Sequence, residues 1–197
     1  MRTPGTPARS RARKDALAGE GPIVNRARAA LKHTAAGFGT ITSSDQTSVT
    51  VRSDDGIQLK LSYNPGNYIF SRVYNLKITT ILPEGTQVPG NIELSFREKG
   101  AAKFFPKKQG SIPRPAAGPR LNALNSRLST QLAKIDLLES SVEGRSLSLV
   151  PMGGSFVWVL IPPIFKATAF PAGEVDRLLE LIRSFREPHT ARTAAAA

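Results

Sequence analysis

The spacing of apolar residues changes period several times along the chain, and each change marks an element. Behind Pro22, Ile23, Ala27, Ala30 and Leu31 recur at helical spacing, with Arg26, Arg28 and Lys32 mostly off that stripe, which predicts a short helix over 22–34. From Phe38 the period drops to two. Val49 and Val51 alternate with Thr50 and Arg52, and Ile57, Leu59 and Leu61 alternate with Gln58, Lys60 and Ser62. Such alternation belongs to strands with one wet face. Strands are therefore expected over 38–42, 47–53 and 57–63, with Asp54-Asp55-Gly56 as a hairpin signal between the last two. Asn64-Pro65-Gly66-Asn67 reads as the next turn. An extended stretch over 68–82 and a strand at Asn91–Arg97 complete an antiparallel meander of about five strands.

Lys103-Phe104-Phe105 reads as a short return strand, after which Pro106, Gly110, Pro113, Pro115, Gly118 and Pro119 punctuate an exposed connector over 106–120. Leu121, Leu124, Leu128, Leu132, Ile135 and Leu138 then keep one face apolar and predict a helix over 120–139. Ser146–Val150 and Phe156–Ile161 read as a second hairpin across Met152-Gly153-Gly154-Ser155, and the later strand is apolar on both faces. Val175, Leu178, Leu179, Ile182 and Phe185 form the stripe of a last helix over 172–186. Strands in runs rather than in alternation with helices predict an α+β fold. The expectation is the five-strand meander and second hairpin packed against two amphipathic helices, with the short N-terminal helix added.

Composition sharpens this picture. The 197 residues suit one domain, placed at 22–187 and flanked by a disordered basic arm over 1–21 and a frayed tail over 188–197. No secretory signal is read, since no apolar stretch follows the early arginines. Seventeen arginines to ten lysines and the alanine run at 194–197 fit a GC-rich bacterial gene, in which the first residues could also be a start codon assigned too early. A cytoplasmic setting is expected. The absence of cysteine excludes disulfides, thiolate metal sites and cysteine nucleophiles.

The formal net charge of +12 is unevenly placed. Residues 1–33 carry +6 and residues 101–120 carry +5 without a single acid, while 34–100 and 121–187 each sum to zero. Cations concentrated in segments predict loose electrostatic attachment to polyanions, through Lys103, Lys107, Lys108, Arg114 and Arg120. Three readings compete for Lys99–Lys108. Its lysines could follow phosphates with a phenylalanine stacked on a base, or could meet anionic headgroups with the rings inserted. Alternatively one ring is core and the lysines are a solvated rim.

Catalytic chemistry is poorly supplied. His33 and His189 stand alone, Asp54-Asp55 suits a turn better than a metal, and Glu139 with Glu143 or Glu93 with Glu98 are the available carboxylate pairs. Gly153-Gly154-Ser155 lacks the lysine and following helix of a phosphate loop. No metal and no cofactor is predicted. The leading expectation is a non-enzymatic binding module with weak affinity for nucleic acid or an anionic surface. The alternatives are an unspecified enzyme and a carrier of a small apolar ligand, with Tyr68, Phe70, Tyr74 and Trp158 lining a concave pocket between sheet and helix.

Overall fold

Pro22 does begin a helix. In the computed structural model, which describes residues 17–68, 71–95, 102–108, 116–135, 137–159 and 164–187, α1 spans Pro22–Ala36. The proline occupies the first turn, where a missing N–H costs nothing. Four strands follow, β1 (Thr40–Ser44), β2 (Ser48–Arg52), β3 (Gln58–Tyr68) and β4 (Ser71–Ile81), and they pair in sequence as an antiparallel meander. Then come β5 (Ile92–Ser95), β6 (Lys103–Pro106), α2 (Pro119–Leu132), β7 (Leu138–Glu143), β8 (Ser146–Pro151), β9 (Phe156–Val159), β10 (Ile164–Ala167) and α3 (Glu174–Arg186). Among the described residues the molecule is a mixed α+β fold with a large antiparallel sheet and three helices.

The sheet departs from the expected topology at β4. The fifth strand does not join it; β5 pairs with β6 and β7 instead. The far edge of β4 is shared end to end by two strands, with Ile78–Ile81 facing β8 and Ser71–Tyr74 facing β9. Residues 146–150 and 156–161 are therefore not a hairpin. The hairpin partner of β8 is β7, and that of β9 is β10, two strands the apolar spacing did not announce.

Met152-Gly153-Gly154-Ser155 accordingly forms a bulge in the chain rather than a hairpin turn. The Leu76 N–H donates to Ser155 Oγ at 3.2 Å where a ladder partner is missing. The Gly154 N–H donates to the Thr168 carbonyl at 2.8 Å, and the Thr168 N–H to that of Ser155 at 2.7 Å. The glycines are needed because Phe170 presses on them. A Cβ at Gly153 would stand 2.4 Å from Phe170 Cδ1, and Gly154 has φ 74°, in the left-handed region. Tyr63 closes the bulge from beneath, its hydroxyl donating to the Gly154 carbonyl at 3.1 Å.

Two further corrections have local causes. Helix α2 stops at Leu132, not 139, with the Lys134 and Ile135 N–H groups turning back to the carbonyls of Gln131 and Leu132. Ile135 and Leu138 are buried as the stripe required, but Leu138 reaches the core as the first residue of β7, where it shares the buried face with Ser140 and Val142. Asn64-Pro65-Gly66-Asn67 is not a turn either; β3 runs through it, with Asn64 opposite Asn75 and Pro65 opposite Tyr74. β2 begins at Ser48, opposite Ser62, so Pro65 lies where one edge of β3 has no ladder to break.

One sheet face is covered and the other is open. Val49, Leu61, Ile78 and Leu149 stand side by side in register, all buried, and share one apolar core with Leu31, Phe38, Leu128 and Ile182. Phe104 of β6 meets Phe185 of α3 edge to face at 5.3 Å. The opposite face carries a row that crosses eight strands in register: Ser43, Thr50, Lys60, Thr79, Ser148, Ser141, Glu93 and Phe105. Leu17, within the stretch read as the arm, is also fully buried, and Arg28 donates to its carbonyl at 2.7 Å.

Candidate functional site

The basic segment singled out in the sequence begins on the edge strand β6. Alternation sends Phe104 into the core and Phe105 to the open face. β6 would leave a bare strand edge, but α2 lies against it. The Asn125 amide accepts from the Phe104 N–H at 2.7 Å and donates to the Phe104 carbonyl at 2.9 Å. A side-chain amide carries both groups of a peptide unit, so it completes the ladder as a neighbouring strand would. Strand and helix are thereby fixed to each other.

Neither element contains an acid, and α2 starts without a carboxylate in its first turn. Lys103, Lys108 and Arg120 are exposed and make no side-chain hydrogen bond or ion pair among the described residues. Arg120 and Arg127 line a cleft of about 340 Å³ with Gln87, Pro119, Ala123 and Leu124. Arg127 is anchored there by a 3.2 Å hydrogen bond to the Glu187 carbonyl. Arg120 lies in the first turn of α2, at the positive end of the helix dipole. Arg114 lies outside the described residues.

Lys107 differs from its neighbours. It is ion-paired with Glu143 of β7, and that hydrogen bond and charge raise the Lys107 pKa while lowering that of Glu143. The pair sits beside a polar groove of about 380 Å³ on the open face, lined by Asn64, Lys77, Glu93, Glu139, Ser141 and Ser148 among others. Glu139 and Glu143 do share this face, yet Glu143 is held as a carboxylate by Lys107. Asp55 is similarly engaged. Hydrogen bonds from Arg183 and Ser53 keep its pKa below the ordinary carboxylate value, and the first of these ties the β2–β3 turn to α3. Glu98 and His189 lie outside the described residues, and His33 is exposed in the last turn of α1. Among the described residues no group of three or more His, Asp or Glu could hold a metal ion. No described helix is long and apolar enough to cross a membrane.

Of the aromatic residues proposed to line a pocket, Tyr74 is buried between Tyr63 and Phe156, each ring centroid 6.1 Å away. Trp158 is half-buried on β9, its ring 6.5 Å from that of Phe165. Phe70 and the side chain of Tyr68 lie outside the described residues. The sequence reading missed Asn125 and Arg127. The second was hidden because it counts as one more polar residue on a helix; the first leaves no pattern, since its partner is a backbone 21 residues away.

Fold and site together define a mixed α+β protein in which Asn125 joins a strand and a helix that contain no Asp or Glu. Over residues 35–188 the sequence matches the family described as a protein of unknown function (DUF3156), and the chain belongs to that family. The match starts at the last turn of α1, so Leu17 and most of α1 precede it. No curated protein matches the chain. No solved structure matches it.

Proposed function

We propose that this chain is a non-enzymatic binding module that takes up extended polyanions, nucleic acid foremost, at the end where β6 meets α2. One observation supports the reading: Asn125 fastens an acid-free strand to an acid-free helix, with Lys103 on the strand, Lys108 just beyond it, and Arg120 and Arg127 on the helix. Rigid cations need less ordering on contact than cations on a loose connector, so more of their attraction survives as affinity. Arg114 and the arginines of the first residues add charge from the sequence on either side. The cytoplasmic setting expected from the sequence belongs to the same reading.

The contact is electrostatic and indifferent to base sequence, because no groove-reading element accompanies the cations. It therefore draws on counterion release and weakens steeply with salt. Retention of the purified protein on single-stranded and duplex DNA across a salt series tests this. Weak, sequence-independent retention at low salt supports it; absence of retention at low salt refutes it. The carrier alternative has less to stand on, because Tyr74 and the α2 leucines are buried members of the apolar core.

A further inference from the structure

At the corner formed by β4, β9 and β10 the open face of the sheet becomes more aliphatic. Val73 pairs with Val157, and Val159 with Ile164, while Lys166 stands opposite Val157 and Ser71 opposite Val159 in the same rows. On the other face of the same hairpin Trp158 pairs with Phe165. Each side of the hairpin thus carries large apolar residues beside a cation, Lys166 next to Val157 on the first and Arg72 next to Trp158 on the second. Among the described residues β10 nevertheless lies at the sheet edge with all four residues exposed; Ile164 is 46% and Phe165 37% accessible. Soluble proteins normally blunt such an edge with charge or cover it.

The charge around this corner is of one sign. Arg26 of α1 stands over the Phe165 ring at 4.6 Å, Arg72 pairs opposite Trp158, and Lys166 lies between Phe165 and Ala167. All three are exposed, and α1, β4, β9 and β10 contain no Asp or Glu. A protein groove that took this hairpin would have to be apolar on two opposite walls and acidic at the rim. A bilayer surface meets both faces of a wedge at once and supplies the negative charge.

We propose that the β9–β10 hairpin, with Arg26, Arg72 and Lys166 around it, is an interfacial contact for anionic lipid bilayers. Trp158, Phe165 and Ile164 enter the headgroup–acyl boundary, where Trp and other amphipathic rings reside, and the cations meet lipid phosphates. Insertion stops at that depth, because the outer backbone edge of β10, which pairs with no strand among the described residues, needs headgroups and water as partners. This surface is separate from the β6–α2 end and does not depend on it.

Trp158 is the only tryptophan in the chain, so its fluorescence reports on this hairpin alone. The full-length protein is mixed with vesicles of phosphatidylcholine, or of phosphatidylcholine and phosphatidylglycerol in equal parts, and both co-sedimentation and Trp158 emission are recorded. Binding only to the anionic vesicles, with a blue shift reversed by salt, is expected. Arg26→Gln and Lys166→Gln should each weaken binding about fivefold, on the basis of roughly 1 kcal/mol per juxtamembrane cation. Ile164→Ser with Phe165→Ser, checked for an unchanged thermal melt, should abolish the blue shift. The Lys103→Gln, Lys108→Gln, Arg120→Gln variant should keep it. No co-sedimentation, co-sedimentation without a change in Trp158 emission, or equal binding to phosphatidylcholine alone would overturn the proposal. So would a dimer that Ile164→Ser dissociates in the absence of lipid, since the hairpin would then be covered by a second copy of the chain.

Discussion

Asn125 takes the place of a missing strand beside Phe104, satisfying its backbone N–H and carbonyl with one amide. That contact fixes β6, which carries Lys103, against α2, which carries Arg120 and Arg127. Asn125→Ala strands both groups at a half-buried edge, and a loss of about 1–3 kcal/mol in a urea titration is expected. Asn125→Asp keeps the acceptor, removes the donor and places an acid in the cationic end. It should therefore weaken DNA retention beyond what its stability loss accounts for.

The start of the chain is anchored by one side chain. Leu17 is fully buried, and Arg28 binds the carbonyls of Leu17 and Gly19 at 2.7 and 2.9 Å. Leu17→Ala should cost about 2–5 kcal/mol, as other buried leucine truncations do. Removal of residues 1–16 should leave the thermal midpoint unchanged, whereas removal of residues 1–21 should lower it. Equal midpoints for the two truncations would show that Leu17 adds nothing to the core.

Gly153 and Phe170 form a coupled pair. Gly153→Ala would drive a methyl group into the Phe170 ring, and overpacking of this kind costs roughly 1–3 kcal/mol. Phe170→Leu frees that space, so the double variant should be less destabilised than the sum of the single ones. Strict additivity in chemical denaturation would contradict the packing described.

Asp45 governs the β1–β2 turn. One of its oxygens accepts from the N–H groups of Thr47 and Ser48, each at 2.7 Å, and the other from the Ser48 hydroxyl at 2.8 Å. These bonds, led by that of the Thr47 N–H, lower its pKa from 3.8 to about 2. The folded state thus binds the proton less readily than the unfolded chain. The stabilisation is complete above 3.8 and is lost as pH falls from there toward about 2. Asp45→Asn should flatten that acid limb of the stability curve while leaving its shape near neutrality unchanged.

Elements that obey a single local rule were legible in the sequence. The helix behind Pro22 and the alternating strands around Asp54-Asp55-Gly56 were of this kind, and so was the apolar stripe of α3. What failed was of two sorts. Leu132, Ile135 and Leu138 keep helical spacing across a helix end with no glycine or proline to mark it, because a strand that starts three residues beyond Ile135 serves the same core. The division of one β4 edge between β8 and β9 is a tertiary fact; the glycines that permit it look like a turn until Phe170 is seen against them. At the site, the concentration of charge over 101–120 could be read directly. Which lysine is spent on Glu143 could not, because Glu143 comes from a strand hidden inside an apparent helix and its flank.

The difference between Lys107 and its neighbours supplies the most direct test of the polyanion reading. The salt dependence of DNA binding should be measured on the chain truncated before Leu17, so that the early arginines do not compensate. Each phosphate contact contributes about one unit to the slope of log K against log salt. Replacing Lys103, Lys108 and Arg120 together by glutamine should lower that slope by about three units. Lys107→Gln, which removes a cation already paired with Glu143, should change it by far less. A slope that is the same in the triple variant and the unsubstituted chain, or that falls as much with Lys107→Gln as with Lys103→Gln, would contradict the assignment of the β6–α2 end as the binding surface.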